Sequence, residues 1–550
     1  MVRRWLGALN RALKEADPSH PTTVEFYQLP WSGIDPRQGM DALDIGNIGY
    51  FGLKGEDLSK FPSTFAFTDL RASGQGLSVG EFGVKTHPAW ESVRGNYHTT
   101  RTEAEQFDLF LAIPHYAFGL GGCKVQNWCW EDADENIFPW GLNYPNDRVS
   151  KDALDVYRNV GMLLGRFEPA YQPPAVWLVV PTSHRLSAAS GEPVYAAALR
   201  ALDALIGAHV AFGVIDEERL DLLPPQAKAL FWPVPFCPGD AAYQAVLRFA
   251  RQGGTAYVSG DLSFDPDRKR TRTARLEELA GVRFVKENYL GLAAGPASRV
   301  RITGALGAVS AWQAAPCIVV EARGGEVLAD AGGSPLLVRH AVGAGQVIFS
   351  ADPLEARPEA EPTLAALYRA VLAGARIEPI GVEPDRESIH AFAAPTREGG
   401  TVYVLYNADP KRRQTVALTT PHGRFALALG AHKPGLIALS REGRLLAVEA
   451  TGEVTRDGRP VARGDCHFAW FTDEETDLSE ARGSILTTLS KGRVRLNARG
   501  VERVCAYGWG GEGWQVLEQM KPQRDGDWLT LAVDEDLARQ VVALGEATVR

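Results

Sequence analysis

The chain reads as a multidomain α/β plus all-β protein, and three observations carry that reading. Over residues 1–170 strand and helix patterns alternate without hairpin signals, which favours a parallel sheet covered by helices. From Pro173 onward, continuous apolar runs alternate with helices, as expected of strands buried on both faces. Beyond residue 382 the runs become short, alternating and punctuated by turns, which predicts a β-sandwich. At 550 residues the chain is too long for one core. The division implied is 1–170, 173–382, 383–475 and a small C-terminal β unit at 476–550.

In chain order, Trp5, Leu6, Leu9, Ala12 and Leu13 recur at helical spacing among basic residues, so an amphipathic helix spans residues 3–16. Asp17-Pro18-Ser19-His20-Pro21 stops it, because proline lacks an N–H and restricts the residue before it. Strands are expected over 22–27, 42–51, 77–83 and 123–128. Helices are expected over 64–73, closed by Gly74, over 102–118 with the acidic start Thr102-Glu103-Ala104-Glu105, and over 152–164. A (β/α)8 barrel is one way to close such a sheet, with functional residues at the C-terminal strand ends.

The second segment predicts strands at 175–181, 210–215, 229–234, 256–259 and 347–350, with helices at 194–207, 240–251 and 363–374. This is a Rossmann-like open sheet. No G-x-G-x-x-G follows any of the strands, which argues against a dinucleotide site. Cys237 follows an apolar strand, but Phe236 and Pro238 do not form a nucleophile elbow around it, so it reads as an inert buried thiol.

Composition excludes several classes. A formal net charge of -9 and the absence of a basic block argue against nucleic acid as a partner. The six cysteines lack C-x-x-C spacing, so no metal or cofactor is expected. No run reaches the roughly 18 apolar residues that span a bilayer. The start Met1-Val2-Arg3-Arg4 leads into a charged helix rather than a signal core, so a cytoplasmic protein is expected.

One stretch carries chemistry. Leu77-Ser78-Val79-Gly80-Glu81-Phe82-Gly83 is a short apolar run ending in a carboxylate between two glycines, as a buried strand delivering Glu81 to its mouth would be. A structural Glu paired with a cation would leave the same trace.

The ordered set of Asp17-Pro18-Ser19-His20-Pro21-Thr22-Thr23, Gly80-Glu81-Phe82-Gly83, Asn127-Trp128-Cys129-Trp130-Glu131-Asp132 and Phe138-Pro139-Trp140-Gly141 resembles the second half of a clan A glycoside hydrolase barrel, β-galactosidase-like or cellulase-like. The likeness covers residues 1 to about 170. It implies a partial (β/α)8 barrel holding strands five to eight, with Glu81 as the catalytic nucleophile and Trp128 as the floor of the sugar site. Trp130 is placed beside Trp128. Gly49 stands where relatives carry a histidine, and Tyr50 could take its part. Trp31, Glu131 and Asp132 complete the expected substrate contacts, although barrel core for Trp31 and a solvated loop for the two carboxylates are their plainer readings. Residues 173–382 resemble the glutamine-amidotransferase-like domain of certain β-galactosidases, used there for oligomer contacts.

The resemblance also implies a gap. No Asn-Glu pair stands at a strand end within residues 1–170, so the acid/base is expected from an upstream-encoded barrel half or a partner chain. Two functions follow: a retaining glycoside hydrolase acting on carbohydrate through Glu81, or a catalytically inactive carbohydrate-binding or assembly protein, in either case a homo-oligomer or one subunit of a pair.

Overall fold

The computed structural model describes residues 2–27, 43–51, 58–86, 101–132, 139–145, 149–182, 188–287, 298–473, 483–498, 501, 503–510 and 513–545. The chain forms two compact units. One comprises Met1–Ile48, Pro62–Leu77 and Pro173–Pro379, the other Gly49–Phe61, Ser78–Gln172 and Ile380–Arg550.

The N-terminal elements follow the expected alternation. Helix α1 (Val2–Ala16) is followed by strands β1 (Thr23–Tyr27) and β2 (Ile45–Phe51), helix α2 (Phe61–Phe67), strand β3 (Gly76–Gly83), helix α3 (Glu103–Gly119), strand β4 (Lys124–Asn127) and helix α4 (Asp152–Leu164). The four strands form one sheet in sequential order, and β3 and β4 are parallel. Thr102 caps α3 with a full capping box: its side chain accepts from Glu105 N, and the Glu105 carboxylate accepts from Thr102 N. The helix expected over 64–73 starts at Phe61 and ends at Phe67. A separate 3-10 turn, Arg71–Ser73, is closed by Gly74 at φ 86°, where a residue without Cβ is at ease.

On α1 the apolar stripe exists but is not covered. Leu6 is buried, whereas Trp5, Leu9 and Leu13 are 60, 44 and 56 % exposed.

The first unit is built on an eight-stranded sheet. Strands β5 (Val176–Val180), β6 (Phe212–Asp216), β7 (Ala229–Trp232), β8 (Thr255–Ser259) and Gly345–Ser350 are parallel, in the order β6, β5, β7, β8, Gly345–Ser350. Every residue of β5, β7 and β8 is buried. The sequence reading missed three strands, Ser334–Val342, Glu326–Ala331 and Arg301–Ile302, which extend this sheet antiparallel beyond Gly345–Ser350. The crevice where the strand order reverses is the usual ligand position in such sheets. Near this point the buried Glu217 carboxyl accepts from Thr182 N at 2.8 Å and Trp232 Nε1 at 3.1 Å, and burial pushes its pKa up. Cys237 is half-buried, and burial pushes its thiol up to about 11.

The second unit contains a 15-stranded antiparallel sheet system from Gly381 to Gly545. One apolar cluster runs through it from Val382 to Leu544, across the boundary expected near residue 475. Helix α3 belongs to this unit and is buried continuously from Leu109 to Phe118. The Tyr116 ring lies 4.5 Å from that of Tyr406, and its hydroxyl is 2.9 Å from His390 Nδ1. Behind it stands a buried charged cluster. His115 donates from Nδ1 to the Leu111 carbonyl and from Nε2 to Glu449 Oε2, both at 2.7 Å. His467 donates from Nε2 to Glu449 Oε1 at 2.9 Å and accepts from Thr451 Oγ1 at Nδ1. With both ring nitrogens donating, His115 is the imidazolium of the pair and His467 is neutral.

Candidate active site

Glu81 lies near the C-terminal end of β3 at a defect in the ladder. Ser78 pairs with Lys124 and Val79 with Val125, but the next pair is Phe82 with Asn127. Three steps along β3 therefore match two along β4, leaving one extra residue within Gly80-Glu81. Such bulges bend the strand and re-aim a side chain. Glu81 is half-buried, whereas Phe82 is fully buried and packs its ring on Phe110 of α3 and Tyr157 of α4.

Trp128 begins where β4 ends. Its N–H donates to the Phe82 carbonyl at 2.8 Å, so the residue after Glu81 holds Trp128 itself. The two strand mouths touch so closely that a Cβ on Gly83 would lie 2.0 Å from the Trp128 carbonyl oxygen. Only glycine fits there, which explains the second glycine of the Gly80-Glu81-Phe82-Gly83 stretch. The Trp128–Cys129 peptide bond is cis.

The segment after β4 folds back on itself. Cys129 N donates to the Trp140 carbonyl at 3.2 Å, Leu142 N to the Cys129 carbonyl at 3.2 Å, and Asp132 N to the Asn143 carbonyl at 2.9 Å. Gly141 is pressed against Asp132, whose backbone nitrogen would lie 2.3 Å from a Cβ at that position. Asp132 accepts from Gly141 N at 2.7 Å and from Lys151 Nζ at 2.9 Å, and the Asp132 and Lys151 side chains are fully buried. Lys151 Nζ also donates to Thr86 Oγ1 at 3.1 Å. Burial pushes the Cys129 thiol up, and the neighbouring Asp132 carboxylate adds to that.

The expected contacts separate into three groups. Glu81 and Trp128 share the β3–β4 mouth. Trp130 is 58 % exposed, and Glu131 is half-buried with its backbone bridged to Asn143. Tyr50 lies on β2, but its side chain is outside the described residues, as is the whole of Trp31. Sequence reasoning missed Thr86 and Lys151. The signal available was Lys151-Asp152 at the start of a well-marked helix, which says nothing about a carboxylate 19 residues earlier. Among the described residues no group of three or more histidine, cysteine or acidic side chains could hold a metal ion, and no helix is long and apolar enough to cross a membrane.

No family model matches this chain. No curated protein matches it in sequence. Solved structures do share its fold. A β-galactosidase from Rahnella sp. R3 superposes with a TM-score of 0.65 at 16 % identity, over 80 % of this chain and 66 % of that one. A GH42 β-galactosidase from G. stearothermophilus gives 0.63 at 14 % identity, over 78 % and 65 %. The β-galactosidase of Bacillus circulans sp. alkalophilus gives 0.62 at 16 %, over 79 % and 66 %. The chain thus spans just under two thirds of these relatives' length. The resemblance to clan A glycoside hydrolases holds at the level of the fold, as does the multidomain α/β plus β architecture.

Proposed function

We propose that this chain carries the nucleophile-bearing half of a retaining glycoside hydrolase acting on O-glycosidic bonds of oligo- or polysaccharides, β-galactosidase-like or cellulase-like. The observation that carries the reading is the bulge in β3, which sets Glu81 at a strand mouth shared with Trp128. In this reading residues 1–170 are strands five to eight of a barrel, and the amidotransferase-like and β domains follow. The Glu81 carboxylate attacks the anomeric carbon as the bond to the leaving oxygen breaks, giving a glycosyl ester that water then cleaves. The proton for the leaving oxygen comes from a second carboxyl group about 5 Å away. That group is supplied from outside this sequence, by an upstream-encoded barrel half or a partner subunit. Trp128 offers its ring to the C–H face of the sugar, with Trp130, Glu131, Tyr50 and Trp31 around it.

A second reading is a catalytically inactive carbohydrate-binding or assembly protein. It is favoured by β4, whose residues alternate between exposed and half-buried rather than being enclosed on both faces.

A leaving group as good as 2,4-dinitrophenolate needs little acid assistance, so it isolates the nucleophile from the acid/base. Incubation with 2,4-dinitrophenyl 2-deoxy-2-fluoro-β-galactoside should add one fluoroglycosyl unit to the peptide containing Glu81, and Glu81→Gln should abolish the addition. Dinitrophenyl galactoside hydrolysis that persists unchanged in Glu81→Gln would overturn the assignment. Absence of both labelling and turnover in the wild type, with these galactosides and with the corresponding glucosides and cellobiosides, would favour the second reading.

A further inference from the structure

We infer that the buried Asp132–Lys151 pair is a positioning device that fixes the segment bearing Trp128 against the segment bearing Glu81. The inference rests on the glycosidase reading of those two residues. The geometry itself is independent of it.

Three chain segments meet at Lys151. Its ammonium donates to Thr86 Oγ1 at 3.1 Å, five residues beyond Glu81, and to Asp132 Oδ1 at 2.9 Å, four residues beyond Trp128. Its own N–H donates to the Leu142 carbonyl at 2.8 Å, so the first residue before α4 is tied by backbone and side chain alike. Around this centre, Thr86 N donates to the Pro139 carbonyl at 3.0 Å, Gly141 N to Asp132 Oδ1 at 2.7 Å, and Gln106 Nε2 of α3 to the Gly141 carbonyl at 3.1 Å. The exits of β3 and β4 are therefore joined to each other and to two helices by hydrogen bonds that are directional and mostly buried.

A buried ion pair is a weak source of stability, since well-packed apolar residues of similar volume often do as well. What it supplies is geometry. Charged hydrogen bonds fix distance and direction in a way that dispersion contacts do not. The reacting groups of an enzyme are sensitive to displacements of about 1 Å, which can change a rate by about 10²-fold. Neither Asp132 nor Lys151 is exposed, so neither acts on a sugar directly.

The double variant Asp132→Leu/Lys151→Met separates positioning from folding, because it removes both charges and leaves neither one unpaired. Its thermal midpoint is expected to fall only modestly, because the Gly141 N–H loses its acceptor but no charge is left unpaired. The rate at which dinitrophenyl 2-deoxy-2-fluoro-β-galactoside labels Glu81 is expected to fall at least about tenfold, at a KM changed by less than about threefold. Asp132→Glu/Lys151→Arg, which keeps the charges but alters their reach, should recover only part of that rate. Wild-type protein labelled at Glu81 together with a double variant that folds and is labelled equally fast would overturn the positioning role. A double variant that fails to fold would overturn it too, by showing the pair to be structural. Wild-type protein that is not labelled at all would instead refute the glycosidase reading beneath it.

Discussion

The parallel strands of the eight-stranded sheet and the β3–β4 mouth are alike in strand direction, yet they are held by different forces. In the former, β5, β7 and β8 are buried at every position, and Trp177, Leu230, Trp232 and Phe349 share one apolar cluster. In the latter, β4 alternates exposed and half-buried residues, and the strand exits are joined by Asp132, Lys151, Thr86 and Gln106. Apolar burial is non-directional and scales with area, so it suits a sheet that only has to be stable. Polar links are directional and become costly when one partner is lost, so they suit a site that has to be exact in position.

The largest effect should come from breaking one polar link on one side only. Lys151→Met leaves the Asp132 carboxylate buried without its cation, and such a loss costs about 3–5 kcal/mol. Denaturant unfolding of the full chain should show it, and the companion change Asp132→Leu should restore most of it. In the eight-stranded sheet the corresponding insult is a cavity: Leu178→Ala, at a fully buried position, should cost about 2–5 kcal/mol. Val125→Ala on β4, half-buried, should cost less than about 1 kcal/mol. Equal costs at Leu178 and Val125 would erase the contrast between the two sheets.

Much of the second region was readable because its residues are locally determined. Helix α4 was expected over 152–164 and spans Asp152–Leu164, and the helix expected from the acidic turn at Thr102 spans Glu103–Gly119; the capping box of the latter and the close approach at Gly83 came only with the structure. What escaped is non-local. The His115–Glu449 pair joins residues 334 apart, and no periodicity reports it. The antiparallel extension by Glu326–Ala331 and Ser334–Val342 was missed because their turn, at Gly332 and Gly333, lies inside a domain whose other strands alternate with helices. Arg270 lies over the rings of Phe264 and Phe284 at 4.5 and 4.2 Å and pairs with Asp261, contacts that no local pattern announces. Composition shows charge but not the aromatic faces that receive it.

A steric probe of the mouth should have an intermediate effect. Gly83→Ala places a methyl group against the Trp128 carbonyl oxygen, and the backbone must shift to accept it. Overpacking of this kind costs about 1–3 kcal/mol. Loss of Glu81 labelling at a preserved thermal midpoint would show that the close approach serves the site rather than the fold.

The charged cluster behind α3 gives a pH test of the same contrast between polar and apolar anchoring. Burial opposes the charge on His115, but Glu449 and the Leu111 carbonyl outweigh it, and its pKa is raised above 6.5. Its contribution is therefore complete below the unfolded value and is lost as the pH climbs through the folded one. His467 behaves oppositely: burial holds its pKa below 6.5, so the unfolded chain takes up that proton first and stability falls on the acid side. Burial disfavours the Glu449 charge, yet the two histidines hold its carboxyl well below 4.5, and its contribution fades only as the pH falls below that value. Thermal midpoints should peak near pH 6.5. His115→Gln should remove the alkaline decline; a decline unchanged in that variant would exclude His115 as its source.

The smallest change in stability, and the one that bears most directly on the mouth, is expected at Trp130. Trp130 is 58 % exposed, while its carbonyl accepts from Leu142 N at 3.1 Å and from Asn143 N at 3.0 Å. The backbone at this position is thus structural and the side chain is presented to solvent. Trp130→Ala keeps the carbonyl and removes only the ring, so unfolding free energy should move by no more than about 0.5 kcal/mol. If the ring touches sugar, the variant should bind galacto-oligosaccharides several-fold more weakly in calorimetric titration, with the Glu81 labelling rate at saturation unchanged. Weaker binding with equal saturating rate is the mark of an interaction made alike in ground and transition states. A matching loss in Trp128→Ala, accompanied by a fall in the saturating rate, would divide the two tryptophans between affinity and chemistry. Unaltered affinity in Trp130→Ala would remove that ring from the site and leave the mouth to Glu81 and Trp128.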